Sequence, residues 1–435
     1  MYTVARELPL AAVLFAQFQD SYCATCFAEI NSNPDTGIVT CDDCAGLSYC
    51  SLKCQRKDWR SVHQYECEIL RSQNTTTPLT VTMRLCIRIL LTAFRGPESS
   101  PTFNGAVLEE LETNYKEFRS SPTHNQFLSD ILTIIRNCGN NVIPKSVENN
   151  KVIGIICSVL CNSFSIIDEK RVEPIGSGMF VGLAKHNHSC ASTSHVVFEK
   201  NQVLLRSSKN EYSKMTTISY VSRMLPTSER RKTIRGVHFI TCNCEMCLNE
   251  DLDLVGLASR CQTDKCDGFV KGNERCVMCQ KKAKIHFEQS SHSTLKLLEI
   301  LENLHKHNNF TIVQEFEFLQ KTRAEYIDVL ADCNVAILQI DEQIAYCASN
   351  LPNVTGIDLE KISSRGCDHF IARLGIGSPE VTRRLYIACR SLSRIEPANR
   401  SIASVDIVKL ALQSSVISHG EDHSISKFLY NLICI

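Results

Sequence analysis

Eight metal-ligating side chains recur at short intervals between positions 23 and 67, and nothing else in this chain restricts its fold as tightly. Cys23-Ala-Thr-Cys26 is followed by Cys41-Asp-Asp-Cys44, then by Cys50, Cys54, His63 and Cys67. A Cys-x2-Cys knuckle turns two thiolates onto one cation about 2.3 Å away. Cys50 and Cys54, like His63 and Cys67, stand four residues apart, which sets each pair on one face of a helical turn. Both arrangements suit tetrahedral zinc, and eight ligands serve two ions. So short a segment buries little core, so bound metal would supply most of its folding free energy.

The chain carries 24 cysteines in 435 residues. That length exceeds one ordinary hydrophobic core and implies about two to four domains. With 47 basic and 47 acidic residues, no bulk electrostatic argument favours nucleic acid, a membrane surface or an acidic substrate. The apolar run Leu8 to Phe15 follows Arg6, but Glu7 and Pro9 sit at its start and no small-residue cleavage site follows, so it does not read as a signal peptide. Val152 to Cys161 falls short of the ~20 apolar residues a bilayer span needs. A soluble monomer in the nucleus, the cytoplasm or both is expected, with no membrane partner.

Two further cysteine groups lie downstream. Cys242-Asn-Cys244-Glu-Met-Cys247 supplies three ligands and lacks a fourth. Cys261, Cys266, Cys276 and Cys279 supply four and could close a zinc site alone, with Gly268 and Gly272 allowing the tight turn of a zinc ribbon. The count is therefore three to four zinc ions. Cys86, Cys138, Cys157, Cys161, Cys333 and Cys389 fall on apolar stretches and are expected in the core. Lys53, Arg56, Lys57 and Arg60 give the first module a basic face, solvated or set to meet an acidic partner or DNA phosphate. Neutral overall charge weakens the DNA reading. Trp59, the only tryptophan, is expected to pack inside the module.

Leu79, Met83, Cys86, Ile87, Leu90, Leu91 and Phe94 predict an amphipathic helix over 79–95, stopped by Gly96-Pro97. More helix is expected at 107–118 and 127–137. Phe180-Val-Gly-Leu, Ser194-His-Val-Val-Phe and Gln202-Val-Leu-Leu-Arg read as short strands, the last two joined at Asn201 by a hairpin turn. From about Ser291 helical periodicity takes over, and Ser378-Pro379-Glu380 is a helix start with Ser as N-cap and Pro first in the helix. Stacked helical hairpins follow.

The ligand order of residues 23–67 resembles the MYND zinc finger throughout. The resemblance implies a cross-brace, with Cys23, Cys26, Cys50 and Cys54 on one zinc and Cys41, Cys44, His63 and Cys67 on the other. Asn187-His188-Ser189-Cys190 and Thr217-Ile218-Ser219-Tyr220 resemble the carboxyl half of a SET domain. Asn162-Ser163-Phe164, Thr227-Ser228-Glu229-Arg230-Arg231 and the triplet Cys242, Cys244, Cys247 resemble companion segments of the SET and MYND proteins. In that family the cysteine of N-H-S-C completes the post-SET zinc site, so Cys190 would be the missing fourth ligand. Val4 to Phe15 looks like the strand pair preceding the finger.

The fold this implies is α+β, a β-rich SET domain interrupted by a MYND finger and a helical insert. Its parts would be residues 1–22 (amino-terminal SET strands), 23–67 (finger), 68–150 (insert), 151–222 (core SET), 223–285 (zinc-binding post-SET) and 286–435 (a helical, TPR-like domain). The resemblance further implies transfer of a methyl group from S-adenosylmethionine to a lysine of a histone or other protein. Asn187, His188, Asn162 and Tyr220 would hold the cofactor, Tyr220 would also act in catalysis, and Phe164 would line the lysine channel. The finger would dock a proline-rich peptide.

Several positions depart from the family pattern. Met1 begins just after where a glycine-rich strand would lie, or a truncated gene model omits it. An acidic G-E-E is replaced by Ser213-Lys214-Met215, N-H-S-C is followed by Ala191-Ser192-Thr193, Lys185 and His186 stand where apolar residues are usual, and Ile240 replaces an aromatic. The alternative is a catalytically degenerate member acting as a zinc-dependent interaction or co-regulator scaffold.

Overall fold

The computed structural model describes residues 1–30, 38–44, 46–73, 79–95, 102–137, 143–307 and 310–434. Two three-stranded antiparallel sheets carry the middle of the molecule. In one, strand Tyr2–Glu7 pairs with Gln202–Ser207, which pairs in turn with Ser194–Glu199. In the other, Ala11–Leu14 and Ser163–Ile167 flank Pro174–Met179. The hairpin joining Ser194–Glu199 to Gln202–Ser207 turns at Lys200 and Asn201, as the sequence predicts. Asn201 Nδ2 donates to the Thr25 carbonyl at 2.9 Å and ties this sheet to the finger. Leu14, Phe27, Ile166, Phe180, Phe198 and Leu205 fill one buried cluster around these strands, because alternate strand residues point to the same face.

Phe180-Val-Gly-Leu does not form a strand. The preceding strand ends at Met179, and Val181–Ala184 is a short helix. Its first turn is fixed by a distant side chain, since the buried Glu7 carboxylate accepts the Gly182 and Leu183 N–H groups at 2.8 and 2.9 Å. Orphan amides at a helix start accept such an anion. Residues 107–118 likewise hold less helix than their pattern suggests: a 3-10 turn at Leu108–Glu110, then helix Tyr115–Ser120.

Helices Val81–Arg95, Pro122–Asn137 and Asn149–Asn162 pack together, with Leu85, Leu90, Leu128, Ile131, Val152 and Ile156 sealed between them. Among the described residues, eight α-helices from Phe287–His307 to Ser424–Cys434 pack around a second large core. Ser378 caps helix Pro379–Leu392, accepting from Val381 N at 3.3 Å. Cys86, Cys157, Cys161, Cys333 and Cys389 are buried; Cys138 and the Gly96-Pro97 stop lie outside the described residues. Among the described residues no helix is long and apolar enough to cross a membrane.

Candidate metal and cofactor site

Four groups of ligands converge in space. They are Cys23, Cys26, Cys50, Cys54; Cys41, Cys44, His63, Cys67; Cys190, Cys242, Cys244, Cys247; and Cys261, Cys266, Cys276, Cys279, with all ligand atoms of each group within 4.8 Å of one another. A tetrahedron built on 2.3 Å zinc–sulfur bonds has edges of about 3.8 Å. The sulfurs fit it: Cys26–Cys50 and Cys41–Cys67 are 3.7 Å apart, Cys50–Cys54 3.5 Å, and Cys190–Cys247 3.6 Å. In the first two groups the ligand pairs alternate along the chain, which is the cross-brace.

Local sequence explains how these ligands arrive. Ser51 accepts from Cys54 N at 3.3 Å and starts helix Leu52–Asp58, bringing Cys54 over Cys50. A wider turn at Trp59–His63 and helix Gln64–Gln73 then set His63 and Cys67 against Cys41 and Cys44. His63 Nδ1 faces Glu66 Oε2 at 3.1 Å, which leaves Nε2 for the metal. Glu66 is buried, yet Arg84 Nε and Arg88 Nη1 reach it at 2.8 and 2.9 Å from helix Val81–Arg95. Burial opposes its ionisation, but the two guanidinium groups outweigh that and hold the carboxyl far below the usual range. Arg88 also pairs with Asp58, which accepts from Tyr49 Oη at 2.9 Å. Trp59 does not pack inside: it is 40% exposed beside the exposed Lys57 and Arg60, one edge against His63.

In the third group, buried Arg230 stands 3.5 Å from Cys247 Sγ and is held by the Leu225 carbonyl and Thr227 Oγ1. The fourth group folds as a small ribbon around paired strands Ser259–Arg260 and Phe269–Val270. Gly272 turns the chain with φ near +60°. Gly268 serves a different purpose from the turn expected of it: a Cβ there would lie 2.5 Å from Cys276 Sγ. The ribbon is joined to the helical domain through Arg260 N to Val329 O and Ala331 N to Ala258 O.

Two short parallel strands bring Asn187, His188 and the segment leading to Tyr220 together, Thr217 opposite Asn187 and Ile218 opposite His188. Tyr220 N donates to His188 Nδ1 at 3.0 Å, so the ring proton belongs on Nε2, which points at Cys190 Sγ 3.2 Å away. The zinc site and the tyrosine segment thus share one histidine. The Tyr220 ring contacts two imidazoles, His188 with centroids 5.0 Å apart and His238 at 4.5 Å. Its hydroxyl donates to the His186 carbonyl, and burial pushes the phenol up to about 12, so it is neutral. Burial, with the charges of His238 and Arg230, lowers His188 to about 4.

Asn187 is exposed. Asn162 Nδ2 donates to both Ser158 O and Glu112 O at 2.8 Å, leaving its oxygen without a partner among the described residues. Phe164 is half-buried, edge-on to Phe180 at 6.2 Å, and borders the same apolar cluster as Tyr220. His186, polar where an apolar residue is usual, is accommodated by stacking on Phe103 and meeting the edge of Tyr212. Met215 is 86% exposed, two residues before the strand Thr217–Ile218. Residue types do not mark Glu66 or His238, and they mark Arg230 only as part of the Thr227–Arg231 segment. Glu66, three residues after His63, was the one with a usable spacing signal.

The family model described as the MYND finger matches residues 23–67. Cattle (Bos taurus) N-lysine methyltransferase SMYD2 is 27% identical over 247 residues, covering 56% of this chain and 54% of that protein. The human (Homo sapiens) N-lysine methyltransferase SMYD2 is 26% identical over 245 residues, again 56% and 54%. SET domain-containing protein 14 of Caenorhabditis elegans is 25% identical over 279 residues, 62% of this chain and 61% of its own. The chain spans about half the length of the first two relatives.

Proposed function

Since the chain is an SMYD-like member of the SET and MYND group, we propose that it is an S-adenosylmethionine-dependent protein-lysine N-methyltransferase holding four structural zinc ions. The observation that carries this reading is the pairing of Thr217–Ile218 with Asn187–His188, which fixes Tyr220 beside a strand anchored through Cys190.

The bound donor supplies an electrophilic sulfonium methyl. Two amide groups suit it: the exposed side chain of Asn187 and the Asn162 oxygen, neither with a protein partner for these atoms among the described residues. Asn187 and the backbone at His188 would bind its amino-acid end. Tyr220, neutral and held by the His186 carbonyl, fixes where the amine and methyl meet. Phe164 lines the path of the lysine stem. A lysine amine has a free pKa of ~10.4 and must be neutral at attack; exclusion of water and the adjacent sulfonium charge lower it. Fixed geometry supplies much of the remaining acceleration.

The finger is a protein-interaction module, and its exposed Trp59, Lys57 and Arg60 suit docking of a partner segment, with a proline-rich peptide as the proposed ligand. Calorimetric titration of the purified full chain with S-adenosylmethionine tests the central claim. Saturable binding is expected, weakened at least about tenfold in Asn187→Ala if two amide hydrogen bonds to a charged group are lost. A flat titration of the wild-type protein would leave only the scaffold alternative.

A further inference from the structure

His238 ends helix Thr227–His238, and its position is set from both sides. Phe239 follows in a left-handed conformation, φ 57°, with its N–H closed onto the Arg235 carbonyl at 3.2 Å. Left-handed backbone is unfavourable for a residue with a bulky side chain. It is held here because the Phe239 ring packs edge-on to Phe118, 5.2 Å away in the helical insert. The turn aims the imidazole of His238 at the Tyr220 ring, centroids 4.5 Å apart.

The two histidines that flank Tyr220 differ in one respect. His188 uses both nitrogens, one accepting from Tyr220 N and one facing Cys190 Sγ. Neither nitrogen of His238 has a hydrogen-bond partner among the described residues, although the ring is half-buried. Burial lowers its pKa below 6.5, so the ring is neutral near pH 7 and keeps an acceptor lone pair. Tyr220 cannot use that lone pair, because its hydroxyl is already given to His186 O. An acceptor left open to solvent at the edge of a neutral phenol suits a ligand that brings N–H donors and positive charge.

We propose that His238 accepts a hydrogen bond from the substrate's primary amine and so holds the lysine ε-nitrogen beside Tyr220. This rests on the methyltransferase reading for its substrate, while the acceptor itself is a feature of the geometry. The role is binding and orientation: no bond is made to the imidazole.

The probe is n-butylamine, titrated into the full-length zinc-loaded protein carrying 15N-labelled histidine, in the presence of S-adenosylhomocysteine. The His238 resonance, identified by its loss in His238→Phe, shifts saturably with amine. His238→Phe keeps a ring against Tyr220 and removes the acceptor, so the amine binds about tenfold more weakly, the effect of one hydrogen bond to a charged group. His238→Gln restores an acceptor and recovers most of the affinity. Unchanged zinc content and an unchanged S-adenosylmethionine titration in both variants report an intact fold. A His238 resonance that does not move at saturating amine, or equal amine affinity in His238→Phe and wild type, overturns the proposal. Failure of the methyltransferase reading is separately visible, as a wild-type protein that does not bind the donor while the imidazole shift still reports on the amine.

Discussion

Glu66 is not among the four converging ligands, yet it decides which nitrogen His63 can offer to a metal. By fixing Nδ1 at 3.1 Å it sets the ring orientation and makes Nε2 the free donor. Such carboxylate partners are worth about 10–100-fold in metal affinity. Glu66→Gln should therefore lower zinc affinity of the second finger site by about that factor in chelator competition, while the site of Cys23, Cys26, Cys50 and Cys54 is unaffected. Equal weakening of both sites would mean that Glu66 acts on the whole finger through Arg84 and Arg88. The ligands themselves were legible in the sequence, because knuckles and four-residue spacings are local constraints. His238 was not, and Arg230 was legible only as part of a helix-start segment, since the place of each arises only when helix Thr227–His238 is packed against Cys247 and Tyr220. Trp59 misled for a related reason: a lone tryptophan in a small module suggests a core, but here metal replaces the core that would have buried it.

Elements follow the same division. The helix predicted over 79–95 is present as Val81–Arg95, and the hairpin at Asn201 is where its turn chemistry places it. Phe180-Val-Gly-Leu reads as strand but helix Val181–Ala184 forms there, because its cause, the Glu7 carboxylate on the Gly182 and Leu183 amides, lies some 175 residues away. The zinc ribbon offers a sharper test of element-level packing. With no space between Gly268 and Cys276 Sγ, Gly268→Ala must displace the sulfur or the strand that carries it. Native mass spectrometry should show four zinc equivalents in the wild-type protein and three in Gly268→Ala, with the finger sites still filled. Four in both would show that the ribbon absorbs a methyl group without losing its tetrahedron.

For the whole molecule, the contacts that matter are those fastening the helical domain to the sheets. Arg223 pairs with Glu380 at 2.6 and 2.9 Å, Tyr386 Oη donates to Lys170 O, Arg383 Nε donates to Val172 O, and Arg206 reaches the Ser418 carbonyl. Burial opposes ionisation of Glu380, but the hydrogen bond and charge of Arg223 prevail and pull its pKa down to about 2. An unpaired glutamate titrates near 4.3. The folded value is the lower one, so this pair stabilises fully above about pH 4.3 and its contribution is lost as pH falls toward 2. Arg223→Met should cost about 2 kcal/mol at pH 7, below the 3–5 of fully buried pairs because 26% of the Glu380 side chain remains exposed. Denaturant melts at pH 7 and pH 3 should show that cost shrinking with acid; a constant difference would assign the effect to packing alone.

The pairing of Tyr2–Glu7 with Gln202–Ser207 also bears on how the molecule comes into being. A ribosome adds about 5–20 residues per second, so the first strand waits roughly 10–40 s for a partner made some two hundred residues later. The finger, whose last ligand is Cys67, can take up metal and close long before that. Cys190 must wait for Cys247. Birth order therefore runs from the docking module outward, and the segment bearing Asn187 and Tyr220 is the last of the metal-anchored parts near the sheets to be secured. During that interval an unpaired edge at the amino terminus is open to wrong pairing, which makes translation speed and zinc supply joint determinants of yield.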